Sequence, residues 1–213
     1  RWIARIPEPV LAAVVIAALT HALSPAPFVQ LFRIHRDQWV AIGAALAVLA
    51  LGVLNGMLAA IALSVALLLY DFSRPVISEL GRVADSSDFV DLARHDDARR
   101  VPGIAIYRPN APLFFANAET ALRIITARIR TRNATAVVLS LEESNDLDST
   151  ALEALGEFAQ GLAHDGRRLI LARTHDALRE LLTLAGLTEL ATSSTFSVAD
   201  AVKACGPIAT PEL

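Results

Sequence analysis

The stretch "NDLDSTALEAL", residues 145–155, contains the side chains best placed to take part in chemistry. Asp148, Ser149 and Thr150 stand where an apolar helix is predicted to begin, close to backbone N–H groups that lack intrahelical acceptors. A phosphate on Ser149 would be electrostatically favoured at such a helix end. A structural role fits equally well: Asp148 or Ser149 would be the N-cap, and Thr150 with Glu153 a capping box. The pattern favours a cap and leaves a regulatory or phosphoacceptor site at these three residues open.

Other patterns that could support catalysis or ligand binding do not occur. The five histidines and Cys205 lack metal-ligand spacings such as H-x-x-x-H or C-x-x-C. The glycine-containing "GVLNGMLA" lacks the Lys-Ser/Thr ending of a phosphate-binding loop. Ser149, His164 and Asp165 have the residue types of a hydrolytic triad, but nothing in the sequence brings them together. We therefore expect no catalytic residue, no metal, no cofactor and no enzymatic activity.

Apolar and charged residues are separated along the chain. The chain is 54% hydrophobic, with mean hydropathy +0.47, and few charges precede position 71. Aspartate and glutamate outnumber lysine and arginine in the remainder, which argues against nucleic acid as a partner. One cysteine cannot form an internal disulfide, which fits a reducing compartment. Because the chain opens with Arg1 and its one methionine is Met57, we expect it to be the C-terminal piece of a longer protein.

The first 70 residues are predicted to form membrane helices. The run 10–23 is apolar, and residues 40–69 include no charged residue. A single helix over 40–69 would be about 45 Å long, well beyond the hydrocarbon core of a bilayer. Gly52, Asn55 and Gly56 therefore predict a break, with helices at 39–53 and 57–70 folded as a hairpin or a broken pair. The many alanines in these segments indicate close packing inside a larger helical bundle.

The hairpin also predicts the orientation of the chain in the membrane. It places the loop carrying Arg33, His35 and Arg36 on the same side as Arg74 and Arg82. Because positive charges concentrate on the cytoplasmic side of membranes, the C-terminal half is predicted to be cytoplasmic.

Residues 101–204 are predicted to fold as an autonomous α/β domain, after a polar linker at 71–100 and before a tail at 205–213. Alternating patterns predict parallel strands with helices packed against them. The predicted strands are 103–108, 112–118, 136–141, 168–172 and a short one near 189–192. The predicted helices are 119–132 (capped by Asn117), one containing Leu152 to Leu162 and ended by Gly166, 176–185 and 197–204. The predicted core comprises Ile104, Ile106, Phe114, Val137, Val138, Leu139, Leu152, Leu155, Leu169 and Ile170.

The order of these elements resembles a known family. An apolar helix, a broken apolar pair, "SRPVISELGR", "GIAIYRPNAPLFFANAE" and "LDSTALEAL" together resemble the C-terminal end of a SulP (SLC26-type) sulfate permease, or anion transporter. In that family the last membrane helices lead into a cytoplasmic STAS domain with a central, mostly parallel sheet. Related anti-sigma-factor antagonists typically have Asp-Ser-Ser-Gly where this chain has Asp148 to Ala151.

The resemblance implies the tail of a secondary anion transporter in the inner membrane, multi-pass, with a regulatory cytoplasmic STAS domain. Its substrate would be an inorganic anion such as sulfate or bicarbonate, bound by half-helices upstream of residue 1. The expected partners are membrane lipid, the missing N-terminal transporter helices, a second copy of the chain and a cytoplasmic protein. The alternative is a membrane-tethered STAS signalling module, similar to anti-sigma-factor antagonists, with Ser149 phosphorylated.

Overall fold

A computed structural model describes residues 8–22, 38–84 and 86–206. The chain divides into two compact units, Arg1–Leu68 and Leu69–Leu213. The predicted positive loop with Arg33, His35 and Arg36 lies outside the described residues, as does the tail after Gly206.

The first unit contains the predicted helices and the predicted break, except for the last turn of the final helix, which belongs to the second unit. Helix α1 spans Glu8–Ala22, α2 spans Gln38–Leu51 and α3 begins at Val53 and ends at Phe72. The break is a single residue, Gly52, whose φ of 79° suits glycine. The prediction that Asn55 and Gly56 also form the turn is wrong, because both lie inside α3. One residue with positive φ is enough to end α2 and start α3.

Gly56 has a packing role instead of a turn role. It is buried, and a Cβ atom at this position would overlap the backbone of Val48 in α2. Further along the same helix pair, a Cβ on Gly43 would lie 3.2 Å from Leu63 Cδ2. Helices α2 and α3 are therefore antiparallel neighbours whose closest approach requires glycine.

Among the described helices, α3 is long and apolar enough to cross a membrane. It has 20 residues and a hydropathy of 2.2. A helix of that length rises about 30 Å, which matches the hydrocarbon core of a bilayer. The apolar part of α2, Trp39–Leu51, is shorter.

The second unit is built on a mixed sheet. Its strands, in chain order, are β1 Ile77–Val83, β2 Phe89–Asp91, β3 Ala98–Arg99, β4 Ile104–Pro109, β5 Ala136–Ser140 and β6 Arg168–Ala172. Their order in the sheet is β2-β1-β4-β5-β6, with β3 also paired to β1. Strands β4, β5 and β6 are parallel, as predicted, but β1 is antiparallel to all of its neighbours. The prediction of a mostly parallel sheet is therefore corrected to a mixed one.

The prediction of a linker at 71–100 is wrong, because this segment contributes three strands. The polar residues of β1 are the reason that the sequence does not predict a strand there. Ser78 is buried and donates a hydrogen bond to Asp91 Oδ2 at 2.6 Å. Glu79 forms ion pairs with Arg100 at 2.8 Å and Arg132 at 2.9 Å. These polar side chains have partners within the fold, so β1 can lie inside a sheet despite its composition.

Five helices accompany the sheet in this unit: α4 Ala118–Arg130, α5 Ser149–His164, α6 Asp176–Leu184, α7 Thr188–Ser193 and α8 Val198–Ala204. Four of them agree with the predicted helices. The fifth, α7, replaces the predicted strand near 189–192. Leu190 and Ala191 are consecutive and both buried in the same cluster, whereas a strand would direct them to opposite faces.

The sheet has an apolar core on each face. One face packs against α4 to α7, and the other packs against α8. Of the predicted core residues, Phe114, Leu152 and Leu169 are only partly buried, and the others are buried. The predicted strand at 112–118 is a loop, and Phe114 is partly exposed because it lies on that loop.

Because β1 lies between β2 and β4, the autonomous folding unit must include it. We expect residues 73–206 to unfold cooperatively, and residues 101–206 to show no cooperative transition. Loss of β1 exposes the edge of β4 and removes Leu80 and Ile77 from the two cores. Thermal melts followed by circular dichroism compare the two fragments. Equal melting temperatures would show that β1 is dispensable and that 101–204 folds alone.

Candidate functional site

Asp148 joins two separate parts of the fold. It is the N-cap of α5, and its Oδ1 accepts a hydrogen bond from Ala151 N at 2.8 Å. Its Oδ2 accepts a second bond from Phe115 N at 2.6 Å. One carboxylate thus stabilises the helix start and holds a loop that lies 33 residues earlier in the chain.

Ser149 and Thr150 are the first two residues of α5 and are exposed. Among the described residues neither hydroxyl has a hydrogen-bond partner, so the cap is Asp148 and not Ser149. The predicted capping box of Thr150 with Glu153 is wrong. With Asp148 as N-cap, the box position falls on Ala151, which has no side-chain acceptor.

The loop 110–117 is held by side chains and not by a neighbouring strand. Three consecutive N–H groups donate to three side-chain oxygens: Leu113 to Ser144 Oγ at 2.9 Å, Phe114 to Asn117 Oδ1 at 3.0 Å and Phe115 to Asp148 Oδ2 at 2.6 Å. Pro112 has no N–H to donate. This explains why an apolar sequence typical of a strand forms a loop here.

Asn117 fastens this loop to the end of α3. Its side chain is 1% exposed, and Nδ2 donates to Phe72 O at 3.0 Å and to Pro112 O at 2.9 Å. Asn117 occupies the predicted N-cap position of α4, but its side chain accepts no bond from that helix. The sequence does not predict that Asn117 joins the loop to α3. The only indication is that Asn117 is a single polar side chain in the apolar stretch "PLFFANA".

The other end of the loop is fastened to the same segment. Asn110 N donates to Val76 O at 2.8 Å, and Asn110 Nδ2 donates to Ser78 Oγ at 2.9 Å. Ser78 in turn donates to Asp91, and this bond is the main reason that the pKa of Asp91 is lowered. The loop is therefore tied to residues 72–76 at both of its ends.

These contacts define what the site can do chemically. The Ser149 hydroxyl is accessible to a modifying enzyme or a partner, but Asp148 already places a negative charge at the helix start. His164 is the last residue of α5, about 22 Å along the helix from Ser149, so Ser149, His164 and Asp165 do not form a triad. The geometry favours a structural junction beside an exposed hydroxyl.

Asp148 and Ser149 should differ sharply in their contribution to stability. We expect Asp148→Ala to lower the free energy of unfolding by about 1–3 kcal/mol, because it removes both a cap and the acceptor of a loop N–H. Ser149→Ala should change it by less than about 0.5 kcal/mol, since no bond is lost. Urea unfolding of residues 73–206 measures both. A larger loss for Ser149→Ala than for Asp148→Ala would contradict this assignment of the cap.

Comparison with known proteins places this fold in a family. Residues 96–201 match the STAS domain family. The chain is 35% identical over 198 residues to a probable sulfate transporter of Mycobacterium tuberculosis, covering 88% of this chain and 34% of that protein. It is 28% identical over 214 residues to high affinity sulfate transporter 1 of Stylosanthes hamata, covering 94% and 32%. The chain thus spans about a third of the length of these curated relatives.

The fold also matches a solved structure. The murine solute carrier 26 family member A9 anion transporter, in its inward-facing state, superposes with a TM-score of 0.78 at 20% identity. The match covers 95% of this chain and 34% of that one, and it supports the fold. From the matched domain and the named relatives together, the chain contains a STAS domain and is similar over most of its length to proteins named as sulfate transporters, of the SulP (SLC26-type) family.

Proposed function

We propose that this chain is the C-terminal part of a secondary anion transporter of the sulfate permease type, with a regulatory STAS domain in the cytoplasm. The observation that carries this proposal is the direct succession of α3 and β1. An apolar helix of membrane-crossing length ends at Phe72, and the first strand of the STAS sheet begins at Ile77. The relatives named as sulfate transporters make sulfate the first candidate substrate, and bicarbonate is a second.

The composition of α2 and α3 supports a substrate site elsewhere in the transporter. Their sequences contain one charged residue, Asp71, which lies in the last turn of α3. Binding of an inorganic anion requires cationic groups or the N-terminal ends of helices. We therefore assign substrate binding to transporter helices upstream of residue 1, and a supporting role to α2 and α3.

Residues at the end of α3 support a cytoplasmic position for the STAS domain. The Arg74 guanidinium lies 4.2 Å from the centre of the Tyr70 ring. Aromatic and basic residues are typical of the boundary between lipid and water, and basic residues are more frequent on the cytoplasmic side. Arg74 and Arg82 both follow α3, which fits an inner-membrane protein whose C-terminal half is cytoplasmic.

The alternative, a membrane-tethered signalling module controlled by phosphorylation, rests on one observation. The Ser149 hydroxyl is exposed and makes no hydrogen bond to the residues that the structure describes, so it is accessible to a kinase. The carboxylate of Asp148 opposes this function, because it would repel an added phosphate.

Transport by the whole protein that contains this chain tests the proposal. Reconstituted in vesicles, it should take up labelled sulfate, and Ser149→Ala should leave anion binding unchanged. Ser149→Asp should change the uptake rate by about fivefold or more if Ser149 regulates transport, a magnitude typical of coupling between sites. Thr188→Asp is the matched control for the added charge, because Thr188 is an exposed residue at the first position of another helix, α7.

Uptake must be normalised to the amount of protein in the membrane. Identical rates for the wild type and for Ser149→Ala and Ser149→Asp would remove the regulatory role of Ser149. Absence of anion uptake by the whole protein, together with partner binding that depends on Ser149, would favour the signalling module. Loss of anion binding in Ser149→Ala would show that our placement of the substrate site is wrong.

A further inference from the structure

Three apolar side chains beside the end of α3 are open to solvent. Phe72 is 42% exposed, Val76 is 64% exposed and Phe115 is 66% exposed. Phe72 ends α3, and Val76 directly precedes β1. Phe115 is distant in sequence but lies on the loop 110–117, which is bonded to this same segment.

The hydrogen bonds of the loop fix its position beside residues 72–76. Asn117 Nδ2 donates to Phe72 O at 3.0 Å, and Asn110 N donates to Val76 O at 2.8 Å. Phe115 itself is held by its N–H bond to Asp148 at 2.6 Å, and its ring meets the Phe114 ring edge-on at 5.2 Å between centres. The backbone therefore keeps Phe115 on the outside of the domain, within two residues of the bond to α3.

The segment that carries Phe72 is itself the end of an apolar helix, α3. Many apolar side chains of α3 are exposed, among them Leu58, Ile61, Leu68 and Leu69, as expected of a helix in contact with lipid. At its end come Tyr70 and Arg74, whose chemistry suits the boundary of a bilayer. Within the second unit, Phe72, Val76 and Phe115 lie beside this end of α3, because the loop is bonded to Phe72 and Val76.

We propose that the loop 110–117 is a membrane-interface anchor, and that Phe115 lies in the headgroup region of the bilayer crossed by α3. This inference rests on the proposed function, in which α3 spans the membrane. The occupant of the surface is lipid, because the patch includes Phe72 in the last turn of the apolar α3 and is next in the chain to Arg74, which suits anionic headgroups. The anchor holds the STAS domain against the membrane through a loop that also contacts the N-cap of α5.

Leu184 provides a comparison on the same domain. It is 85% exposed, more than Phe115, but it lies at the end of α6 and has no bond to residues 72–76. Exposure alone therefore does not distinguish the two side chains. What distinguishes them is that the loop of Phe115 is bonded to residues 72–76, at the end of α3, and Leu184 is not. The inference therefore predicts lipid contact for Phe115 and water contact for Leu184.

Spin labels on single cysteines test this in the full chain, reconstituted into vesicles of phosphatidylcholine and phosphatidylglycerol. In a Cys205→Ser background, Ile61→Cys reports on the middle of α3, Phe115→Cys on the loop and Leu184→Cys on the control surface. Relaxation by oxygen, which concentrates in lipid, is compared with relaxation by a water-soluble nickel chelate. The oxygen-to-nickel ratio at 115 should exceed that at 184 several-fold and lie below that at 61.

The other outcomes overturn the inference in distinguishable ways. A ratio at 115 equal to that at 184, with 61 in lipid, would refute the anchor and leave the proposed function intact. Shielding of 115 from both reagents would mean that protein covers the patch, which also refutes a lipid anchor. Water accessibility at 61 as well would show that α3 does not cross the membrane, and then the proposed function fails with the inference.

Discussion

The N–H groups of Leu113, Phe114 and Phe115 have no strand to pair with, and the candidate site depends on how they are satisfied. An unpaired N–H away from water destabilises a fold, so each of the three needs an acceptor. Ser144, Asn117 and Asp148 supply those acceptors. Because Asp148 also caps α5 and Asn117 also bonds to Phe72, these two side chains connect the start of α5 with the end of α3 through the loop.

In the function proposed here, this connection would be the physical basis of regulation by the STAS domain. Ser149 follows Asp148 directly, so a negative charge added to Ser149 would act first on the carboxylate that holds Phe115. The loop that bears Phe115 is in turn bonded to the last residue of α3 and to Val76. A partner or modification at the start of α5 would therefore act on the segment that follows α3.

Local patterns were sufficient to predict much of the fold. The helical periodicity of α4, α5, α6 and α8, the continuous apolar runs of β5 and β6 and the break before α3 are all visible in the sequence. Strand β1 could not be predicted, because Ser78 and Glu79 find their partners only in the folded sheet. The partners of the 110–117 loop could not be predicted either. Its bonds to Ser144, Asp148 and Phe72 join residues 31, 33 and 45 positions apart, and no local pattern encodes such separations.

Hydrogen exchange tests the central claim, that buried side chains hold the loop to the end of α3. In the full chain, Asn117→Ala should accelerate exchange of the N–H groups of Leu113, Phe114 and Phe115 while exchange in β5 remains as in the wild type. Asn133→Ala is the matched control, since Asn133 is exposed and its side chain makes no hydrogen bond to the described residues. It should leave both regions unchanged. Unaltered protection of the three loop N–H groups in Asn117→Ala would contradict the account.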